Sequence, residues 1–299
     1  MDRIVFLGTP RAAVPALEAL GDRVGLVVTQ PNRPRGRSGA PQPPPVRTAA
    51  ESLGIAVSQP ESREELGAIL SEGHFDLGVV VAFGMILTPT MLASTPGGFL
   101  NVHFSLLPRW RGAAPVQRAL LAGDREIGVS LMEMDAGLDT GPVIASEKTL
   151  IGSEETTPDL TTRLAELGAG LLAENLDAYL AGNVEAVPQR EEGVTYAPKV
   201  DAAEEKLDPA DTAVNIVRRV RAMHPRAYFE YGEGRLRVLK AEVAMGTLPE
   251  GKLAVMGDRL ICGCGSGMVV LNEVQPSGKR AMVGVDWARG RRGAFGSVT

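Results

Sequence analysis

The chain has 299 residues, of which 44% are hydrophobic and 22% charged, so it is long enough for about two folded domains. Its longest apolar stretches, such as residues 77–83, are far shorter than the ~20 residues that cross a bilayer. The N-terminus MDRIVFLG lacks the apolar core and cleavage site of a signal peptide, and we therefore expect a cytoplasmic protein without a membrane anchor.

The charge is distributed unevenly along the chain. The net charge is −5, but residues 1–205 hold 16 basic and 27 acidic side chains, whereas residues 206–299 hold 15 basic and 9 acidic ones. A basic C-terminal part attracts nucleic acid, although many basic surfaces are merely solvated. Charge alone leaves both interpretations open.

The N-terminal part alternates short apolar segments with segments of helical periodicity. Continuous apolar strands between helices are typical of parallel strands covered on both faces, which predicts a doubly wound α/β domain. The predicted strands are residues 3–7, 24–28, 55–57, 77–81, 98–102, 129–134 and 142–147. The predicted helices are residues 14–20, 46–53, 63–72, 113–121 and 157–180.

Residues 30–45, QPNRPRGRSGAPQPPP, interrupt this alternation. Proline at this density cannot join a helix or a central strand, so the segment is predicted to be an exposed loop. Loops of this length inside compact domains are usually functional or mobile. Arg33, Arg35 and Arg37 present positive charge on this loop.

Residues 189–205 are polar and irregular, and we interpret them as a linker between a catalytic domain, 1–188, and a second domain, 206–299. The second domain is predicted to begin with a helix over Pro209–Met223, with Asp208 as its N-cap. Short strands follow at residues 227–231, 236–243, 252–256, 259–264 and 268–274. One helix and about five short strands predict a small β-barrel of the OB type.

Several common catalytic and cofactor motifs are missing. The sequence GTPRAA after the first strand matches neither a dinucleotide fingerprint nor a P-loop, and there is no G-x-S-x-G elbow. Cys262 and Cys264 could form half a metal site, but no neighbouring His or Cys completes it. Two small apolar residues in a strand are the simpler interpretation. The predicted chemistry is a group transfer without a metal.

A polar pair lies at the end of the predicted strand 98–102. Asn101 and His103 alternate along the extended chain, so their side chains point to the same side. In open α/β sheets, ligands bind beyond the carboxyl ends of the strands. An amide beside an imidazole suits acyl transfer, because the amide stabilises an oxyanion and the imidazole exchanges protons near neutral pH. A structural Asn and His at a strand end is the alternative.

A second polar loop carries Asp139 between Gly137 and Gly141. Two glycines at this spacing predict a sharp turn. A carboxylate on such a loop can approach His103, orient the ring and stabilise its charged form. An aspartate that only caps its own turn is the alternative.

These motifs in combination resemble one enzyme family. Asn101-Val102-His103, the Ser-Leu-Leu-Pro run at 105–108 and the Gly-Leu-Asp-Thr-Gly loop at 137–141 are similar to the folate-dependent formyltransferases. The resemblance extends to residues 6–10, 29–31, 82–84, 108–115, 195–197 and 275–279. It implies a Rossmann-like catalytic domain and a C-terminal OB-like domain.

The resemblance also implies substrates and site residues. The expected donor is 10-formyltetrahydrofolate, and the expected acceptor is methionine carried by initiator tRNA, with no metal involved. Asn101, His103 and Asp139 are the expected catalytic trio. The expected folate site consists of Ser105, Leu106, Leu107 and Pro108, together with Phe83, Gly84, Met85, Ile86 and Leu87.

For the tRNA, the resemblance implies that the loop after Thr29 flanks the acceptor stem and that the basic C-terminal domain holds the tRNA body. The family carries lysines near the middle of that loop, where this chain has Ser38-Gly39-Ala40, so the loop arginines are expected to replace them. The candidate contacts are Arg33, Arg35, Arg37, Arg218, Arg221, Lys279 and Arg280, each of which has a merely solvated surface as its alternative.

One residue departs from the family pattern at the site. Phe104 follows the histidine where the family usually has a small residue, so its ring needs room.

Two other functions stay open. The first alternative is a formyltransferase for a small amine acceptor, such as a sugar nucleotide or glycinamide ribonucleotide. The second is an RNA-binding protein without catalysis. The basic C-terminal domain disfavours the first alternative, the intact trio disfavours the second, and we expect a monomer.

Overall fold

The computed structural model describes residues 3–34, 39–232, 234–291 and 296–299. Contacts within the chain divide it into two compact units. The first unit comprises Met1–Pro115, Glu126–Leu150 and Thr161–Ala197, and the second comprises Val116–Arg125, Ile151–Leu160 and Pro198–Thr299. Residues 189–197, the first part of the predicted linker, thus belong to the first unit, and the predicted domain boundaries remain a proposal.

A seven-stranded sheet forms the centre of the first unit. The strands of this unit are β1 (Ile4–Gly8), β2 (Val24–Val28), β3 (Arg33–Pro34), β4 (Pro41–Gln42), β5 (Val57–Ser58), β6 (Leu77–Val81), β7 (Phe99–His103), β8 (Glu126–Glu133) and β9 (Val143–Leu150). Seven of these strands form the sheet, in the order β5-β2-β1-β6-β7-β8-β9, and β3 and β4 form a separate pair. The strands from β5 to β7 pair in parallel, whereas β8 pairs antiparallel with both β7 and β9. The predicted Rossmann-like α/β class is confirmed, with an antiparallel edge.

The apolar pattern of a strand follows its place in this sheet. Every residue of β1 and β6, which lie side by side near the middle, is buried. Strands covered on both faces need continuous apolar sequence, as in IVFLG and LGVVV. The edge strand β9 is half-buried or exposed throughout and carries charged residues. Burial therefore explains why the central strands could be predicted most directly.

The helices of the N-terminal sequence are α1 (Val14–Leu20), α2 (Pro45–Ser52), α3 (Arg63–Glu72), α4 (Pro89–Leu92), α5 (Pro115–Ala122) and α6 (Thr157–Leu180). The predicted helices 14–20, 63–72 and 157–180 are confirmed at both ends. The short helix α4 was not predicted. Its N-cap is Thr88, whose hydroxyl accepts a hydrogen bond from Met91 N at 3.3 Å, and its first residue is Pro89.

The proline-rich segment contains more structure than an open loop. β3 and β4 pair antiparallel within it. Pro45 is the first residue of α2 rather than the last of the loop, because the first helical amide needs no intrahelical acceptor. Arg35, Arg37 and Ser38 lie outside the described residues, so their predicted role stays a prediction.

The second unit contains a six-stranded antiparallel sheet. Its strands are β10 (Tyr228–Tyr231), β11 (Gly234–Ala244), β12 (Leu253–Met256), β13 (Arg259–Gly263), β14 (Met268–Pro276) and β15 (Met282–Val283). The order is β10-β11-β14-β13-β12, and β15 pairs with β14. The register between β11 and β14 shifts around Lys240, and such irregularities bend a strand. This curled antiparallel sheet confirms the predicted class of the C-terminal domain.

The helices of the second unit correct one prediction. α7 (Ala213–Ala222) begins after Thr212, whose hydroxyl accepts from Asn215 N at 3.2 Å, and α8 (Gly284–Arg289) follows β15. The prediction that the helix starts at Pro209 with Asp208 as its cap is wrong. The Asp208 carboxylate instead accepts from Ala210 N at 2.9 Å, which stabilises a separate turn ahead of the helix.

Both cysteines are buried and free, Cys262 in β13 and Cys264 directly after it. Within the described ranges, no group of three or more His, Cys, Asp or Glu side chains is placed to hold a metal ion. None of the helices in that part of the chain combines the length and apolar composition that crossing a bilayer requires.

An ion pair ties α5 to the segment at the start of the C-terminal sequence, within the second unit. Arg118 Nη1 and Nη2 lie 2.6 and 2.9 Å from the two carboxylate oxygens of Glu204. The hydrogen bonds from Arg118 lower the pKa of Glu204. Because folding lowers this pKa, the ionised carboxylate stabilises the fold at pH values above the unfolded pKa of about 4.3. This stabilisation is lost as the pH falls through the folded pKa.

Glu204→Gln is therefore expected to lower the free energy of unfolding at pH 7 by roughly 1 kcal/mol or less. The difference from the unchanged protein should shrink as the pH falls below the ordinary glutamate pKa. Urea unfolding of both proteins at several pH values measures it. A difference that grows toward acidic pH would contradict the assigned role of the pair.

Candidate active site

The predicted catalytic trio meets at one edge of the first unit's sheet. Asn101 and His103 extend from the last residues of β7, two positions apart and on the same side. Asp139 lies in the loop between β8 and β9. Because β8 runs antiparallel to β7, this loop starts beside Phe99, whose carbonyl accepts from Met134 N at 2.7 Å. The loop must then turn back to bring Asp139 to His103.

The Asp139 loop makes this turn through close contacts. A Cβ atom at Gly137 would collide with the Thr140 side chain, and one at Gly141 would collide with a main-chain carbonyl oxygen. Asp135 stabilises the turn, since its Oδ1 accepts from Gly137 N at 3.0 Å and from the Thr140 hydroxyl at 2.6 Å. Asp139 has φ 52°, a left-handed conformation that Asp adopts more readily than most residues. The predicted sharp turn is thus confirmed.

The Asp139 carboxylate contacts both partners of the trio. Its Oδ2 lies 3.7 Å from His103 Nδ1 and accepts from Gly112 N at 2.7 Å. Its Oδ1 accepts from Asn101 Nδ2 at 3.4 Å. The side chains of His103 and Asp139 are only 7% and 16% exposed, so water screens their interaction weakly. The structure therefore brings the three predicted side chains into one arrangement.

The surroundings of His103 determine which ring nitrogen acts as a base. Nε2 lies 2.9 Å from the carbonyl oxygen of Trp110. A carbonyl oxygen only accepts, so Nε2 carries the hydrogen and the neutral ring has its lone pair on Nδ1. Nδ1 faces the Asp139 carboxylate, whose Oδ2 lies 3.7 Å away.

A cavity of about 320 Å³ opens beside the trio. Asn101, His103 and Asp139 line one side of it, and the segment 80–87 lines another. Five residues of the expected folate site are in this lining, namely Phe83, Gly84, Met85, Ile86 and Leu87. A largely apolar cavity with a few convergent polar groups suits a small heterocyclic ligand.

Unusual backbone conformations concentrate around this cavity. Of the four non-glycine residues with positive φ in the described ranges, Ala82 and Asp139 line the cavity, and Trp110 holds His103. Such conformations are costly for residues with a Cβ atom and persist where the surrounding structure enforces them. They are frequent at functional sites, which agrees with the chemistry of the trio.

The Ser-Leu-Leu-Pro run, residues 105–108, follows Phe104 but does not line the described cavity. The fully buried Ser105 donates its hydroxyl to Arg109 O at 2.6 Å. Ser130 donates to Ser105 O at 2.8 Å and accepts from Leu107 N at 3.1 Å. These bonds support the chain that follows His103. The structure does not bring Ser105, Leu106, Leu107 or Pro108 to the described cavity lining, so their contact with folate stays a prediction.

The loop around Arg111 is held by the chain segment that ends the first unit. Arg111 N donates to Thr195 O at 2.9 Å, and Ala197 N donates to Arg111 O at 2.7 Å. The next residue, Gly112, has φ 121°, and a Cβ atom there would lie 2.8 Å from Ala197 O. This close approach presents Gly112 N to Asp139 and explains why the position needs glycine.

Phe104 is half-buried and lines the cavity. The edge of its ring lies 3.8 Å from the position that a Cβ atom of Gly168 in α6 would occupy. The same Cβ atom would lie 2.5 Å from a Val102 methyl carbon and 3.2 Å from a Val129 methyl carbon, so glycine at 168 makes room for these two valines. Phe104 would be at an ordinary van der Waals distance from that atom, and its ring borders the cavity.

The arginines predicted on α7 lie close to the main chain of other segments of the second unit. Arg221 is half-buried, and its guanidinium donates to Glu155 O at 2.8 Å and to Gly152 O at 2.7 Å. Burial lowers the pKa of Arg221. The Arg218 guanidinium lies against the main chain of Gly123. Contact of either residue with tRNA stays a prediction, and for Arg221 it would compete with these hydrogen bonds.

The other described candidates are exposed. Arg33 in β3 donates to Gln30 Oε1 at 3.3 Å, and Lys279 and Arg280 lie in the turn between β14 and β15. Arg235 and Arg237 on β11 are also exposed but were missed. Their alternation with buried Leu236 and Val238 in the sequence GRLRV was a usable signal, because it places both arginines on one face of a strand.

Comparisons with known proteins identify relatives over the whole chain. Residues 2–176 match the family model described as formyl transferase, and residues 199–292 match the formyl transferase C-terminal domain. A methionyl-tRNA formyltransferase from Halorhodospira halophila is 47% identical over 97% of this chain and 96% of the relative. Another from Paracoccus denitrificans is 44% identical over 96% of this chain and 97% of the relative. The structure of an N-formyltransferase from Helicobacter canadensis with folinic acid and dTDP-3-aminofucose shares the fold, with a TM-score of 0.70 and 20% identity over 92% of this chain and 100% of that one.

Proposed function

Because the chain belongs to the methionyl-tRNA formyltransferase family, we propose that it transfers a formyl group from 10-formyltetrahydrofolate to the α-amino group of methionyl initiator tRNA. The observation that carries the proposal is the contact of Asp139 with Asn101 and His103 at the cavity wall. A role in translation initiation follows from the acceptor. We also propose that the enzyme works in the cytoplasm as a monomer.

The cavity supports the choice of donor. The segment 83–87 supplies apolar side chains and main-chain amides and carbonyls, which are the groups that recognise a flat, polar-edged heterocycle such as a pterin. We propose that a pterin bound in this cavity leaves the formyl-bearing nitrogen of the folate on the side of the trio, where Asn101 and His103 act on the formyl group.

The first chemical step is attack by the methionine amine on the formyl carbon, which forms a C–N bond and leaves negative charge on the formyl oxygen. His103 Nδ1 takes the proton that the attacking nitrogen loses, and Asp139 stabilises the imidazolium. Asn101 Nδ2 has two hydrogens, of which one points toward Asp139. The other stabilises the oxyanion, an interaction worth roughly 3–4 kcal/mol in other acyl-transfer sites.

The second step breaks the bond between the formyl carbon and the folate nitrogen. The oxyanion re-forms its carbonyl bond, and His103 Nδ1 returns the proton to the departing nitrogen. The products are formylmethionyl-tRNA and tetrahydrofolate, and the imidazole is neutral again. The amine attacks the formyl carbon directly, so the formyl group is never bonded to the protein, and each catalytic group ends in its starting state.

Recognition of the tRNA is proposed to use exposed cations in both units. Arg33 lies on the proline-rich segment, and Lys279 and Arg280 lie in the turn after β14. Arg235 and Arg237 add two further cations on β11. Phosphate contacts release counterions, so this surface predicts binding that weakens steeply with salt.

Replacing Lys279 and Arg280 together with Ala is expected to weaken tRNA binding and to reduce the slope of log Kd against log salt by roughly 0.7–0.9 for each lost contact. Filter binding at several salt concentrations measures the slope. Lys148→Ala serves as the comparison, because it removes an exposed cation of β9 that is not among the candidate contacts, and it should leave the slope unchanged. An unchanged slope in the double variant would contradict the proposed contacts.

The proposed function is tested by formyl transfer from 10-formyltetrahydrofolate to methionyl initiator tRNA. Uncharged tRNA and free methionine are the controls. Formylation of the charged tRNA alone supports the proposal. Transfer to free amino sugars or to other small amines, with none to the charged tRNA, would overturn the choice of acceptor and leave the formyltransferase assignment intact.

A further inference from the structure

Gln189 binds the main chain of the Asp139 loop. Its Nε2 donates to Asp139 O and to Gly141 O, at 2.8 Å in each case. One side-chain amide therefore satisfies two carbonyls on either side of the turn. The two bonds support the chain at Asp139, which has a left-handed conformation.

Arg111 binds the other end of the same amide. Its Nε and Nη2 donate to Gln189 Oε1 at 3.0 and 2.7 Å. A guanidinium only donates and a carbonyl oxygen only accepts, so the orientation of the Gln189 amide is determined by its partners. Arg111 is only 9% exposed. Hydrogen bonds at such a buried position are seldom exchanged for water, so they hold the amide in place.

The Asp139 carboxylate is connected to the same pair through the main chain of Gly112. Arg111 is followed by Gly112, whose N donates to Asp139 Oδ2 at 2.7 Å. Gln189 holds the carbonyl end of Asp139, while Gly112, whose position depends on Arg111, holds the carboxylate. The connections close a ring through Arg111, Gln189, Asp139 and Gly112.

We propose that Gln189 and Arg111 are positioning residues for formyl transfer, which hold the Asp139 carboxylate opposite His103 Nδ1. This inference rests on the proposed function of the trio. A misplacement of about 1 Å in a catalytic group can cost about 100-fold in rate, so a small movement of the Asp139 loop has a large effect. A merely structural pair would instead affect stability and leave the turnover of the folded enzyme unchanged.

The test compares kcat, both KM values and Tm for four single variants of the full chain. Gln189→Ala is expected to lower kcat by about 10- to 100-fold while both KM values stay within about twofold. Gln189→Glu keeps an acceptor for Arg111 but loses both donors, and kcat should fall likewise. Arg111→Lys, which retains one donor for Gln189, should recover more activity than Arg111→Ala.

The structure offers a control with the same chemistry elsewhere in the first unit. Gln59 Nε2 donates to Gln30 O at 2.7 Å, and Gln59 Oε1 accepts from Arg47 Nη1 at 2.7 Å. Gln59→Ala removes comparable hydrogen bonds outside the cavity lining and should keep kcat within about twofold of the unchanged enzyme.

A double-mutant cycle tests whether Gln189 and Arg111 act together or independently. Gln189→Ala combined with Arg111→Ala should lower kcat no further than the stronger single variant, because each removes the same ring of contacts. All ratios are measured with whichever amine acceptor the unchanged enzyme formylates, so failure of the tRNA assignment does not affect them. The inference is overturned if folded Gln189→Ala retains kcat, or if its loss only matches that of Gln59→Ala.

Discussion

His103→Ala is expected to lower kcat for formyl transfer by about 10²–10⁴-fold, because it removes the group that accepts and returns the proton. Folate binding should change little, since the segment 83–87 and the other cavity walls remain. Single-turnover assays at saturating methionyl-tRNA measure the rate. Fluorescence titration with a folate analogue measures binding separately.

His224→Ala is the control for this prediction. Its ring also contacts a main-chain carbonyl, with Nδ1 3.1 Å from Leu239 O, but it lies in the second unit outside the described lining of the trio cavity. It should retain the rate constant of the chemical step. If His103→Ala retained that rate constant as well, another group would have to move the proton, and the mechanism through Nδ1 would be wrong.

Asp139→Asn is expected to lower kcat by about 10²–10⁴-fold, as loss of the carboxylate that supports a catalytic imidazole does elsewhere. The substitution removes the negative charge 3.7 Å from His103 Nδ1 while retaining an oxygen that can accept from Gly112 N. Asn tolerates the left-handed conformation at this position, so the fold of the loop should survive. Circular dichroism and Tm verify the fold, and steady-state kinetics measure the loss.

The two substitutions should not be additive. Asp139 acts through the charge on His103, so Asp139→Asn added to His103→Ala should lower kcat little further. Independent effects that multiply in the double variant would show that Asp139 contributes by another route, for example by orienting Asn101 through its Oδ1.

The elements with a simple apolar pattern were predictable from sequence. β6, α3 and α6 have the predicted ends, because burial on both faces of a central strand or on one face of a helix imposes a short repeating pattern. α7 was predicted to begin too early, since Asp208 and Pro209 also satisfy the rules for a helix start. Which of two caps is used depends on the contacts of the whole segment.

The grouping of Asn101, His103 and Asp139 at one site was also predictable, although for two different reasons. Asn101 and His103 are two positions apart on one strand, so their alignment follows from local geometry. Asp139 was connected to them through its glycine-bracketed loop and the family resemblance. Its approach to His103 depends on the antiparallel pairing of β7 and β8, which no local pattern specifies.

The sequence by itself determined the fold class, the polar residues of the trio and the overall charge asymmetry, because composition and short-range periodicity are properties of the chain alone. Only the tertiary structure decided that Gln189 binds the Asp139 loop and that Arg111 binds Gln189. It also decided that Arg221 binds main-chain carbonyls. Such hydrogen bonds join residues far apart in sequence, and a polar side chain carries no local mark of its partner. Buried main-chain carbonyls that have no main-chain donor need a hydrogen bond from a side chain. Which residue supplies that side chain depends on the packing of the fold and not on a local sequence pattern.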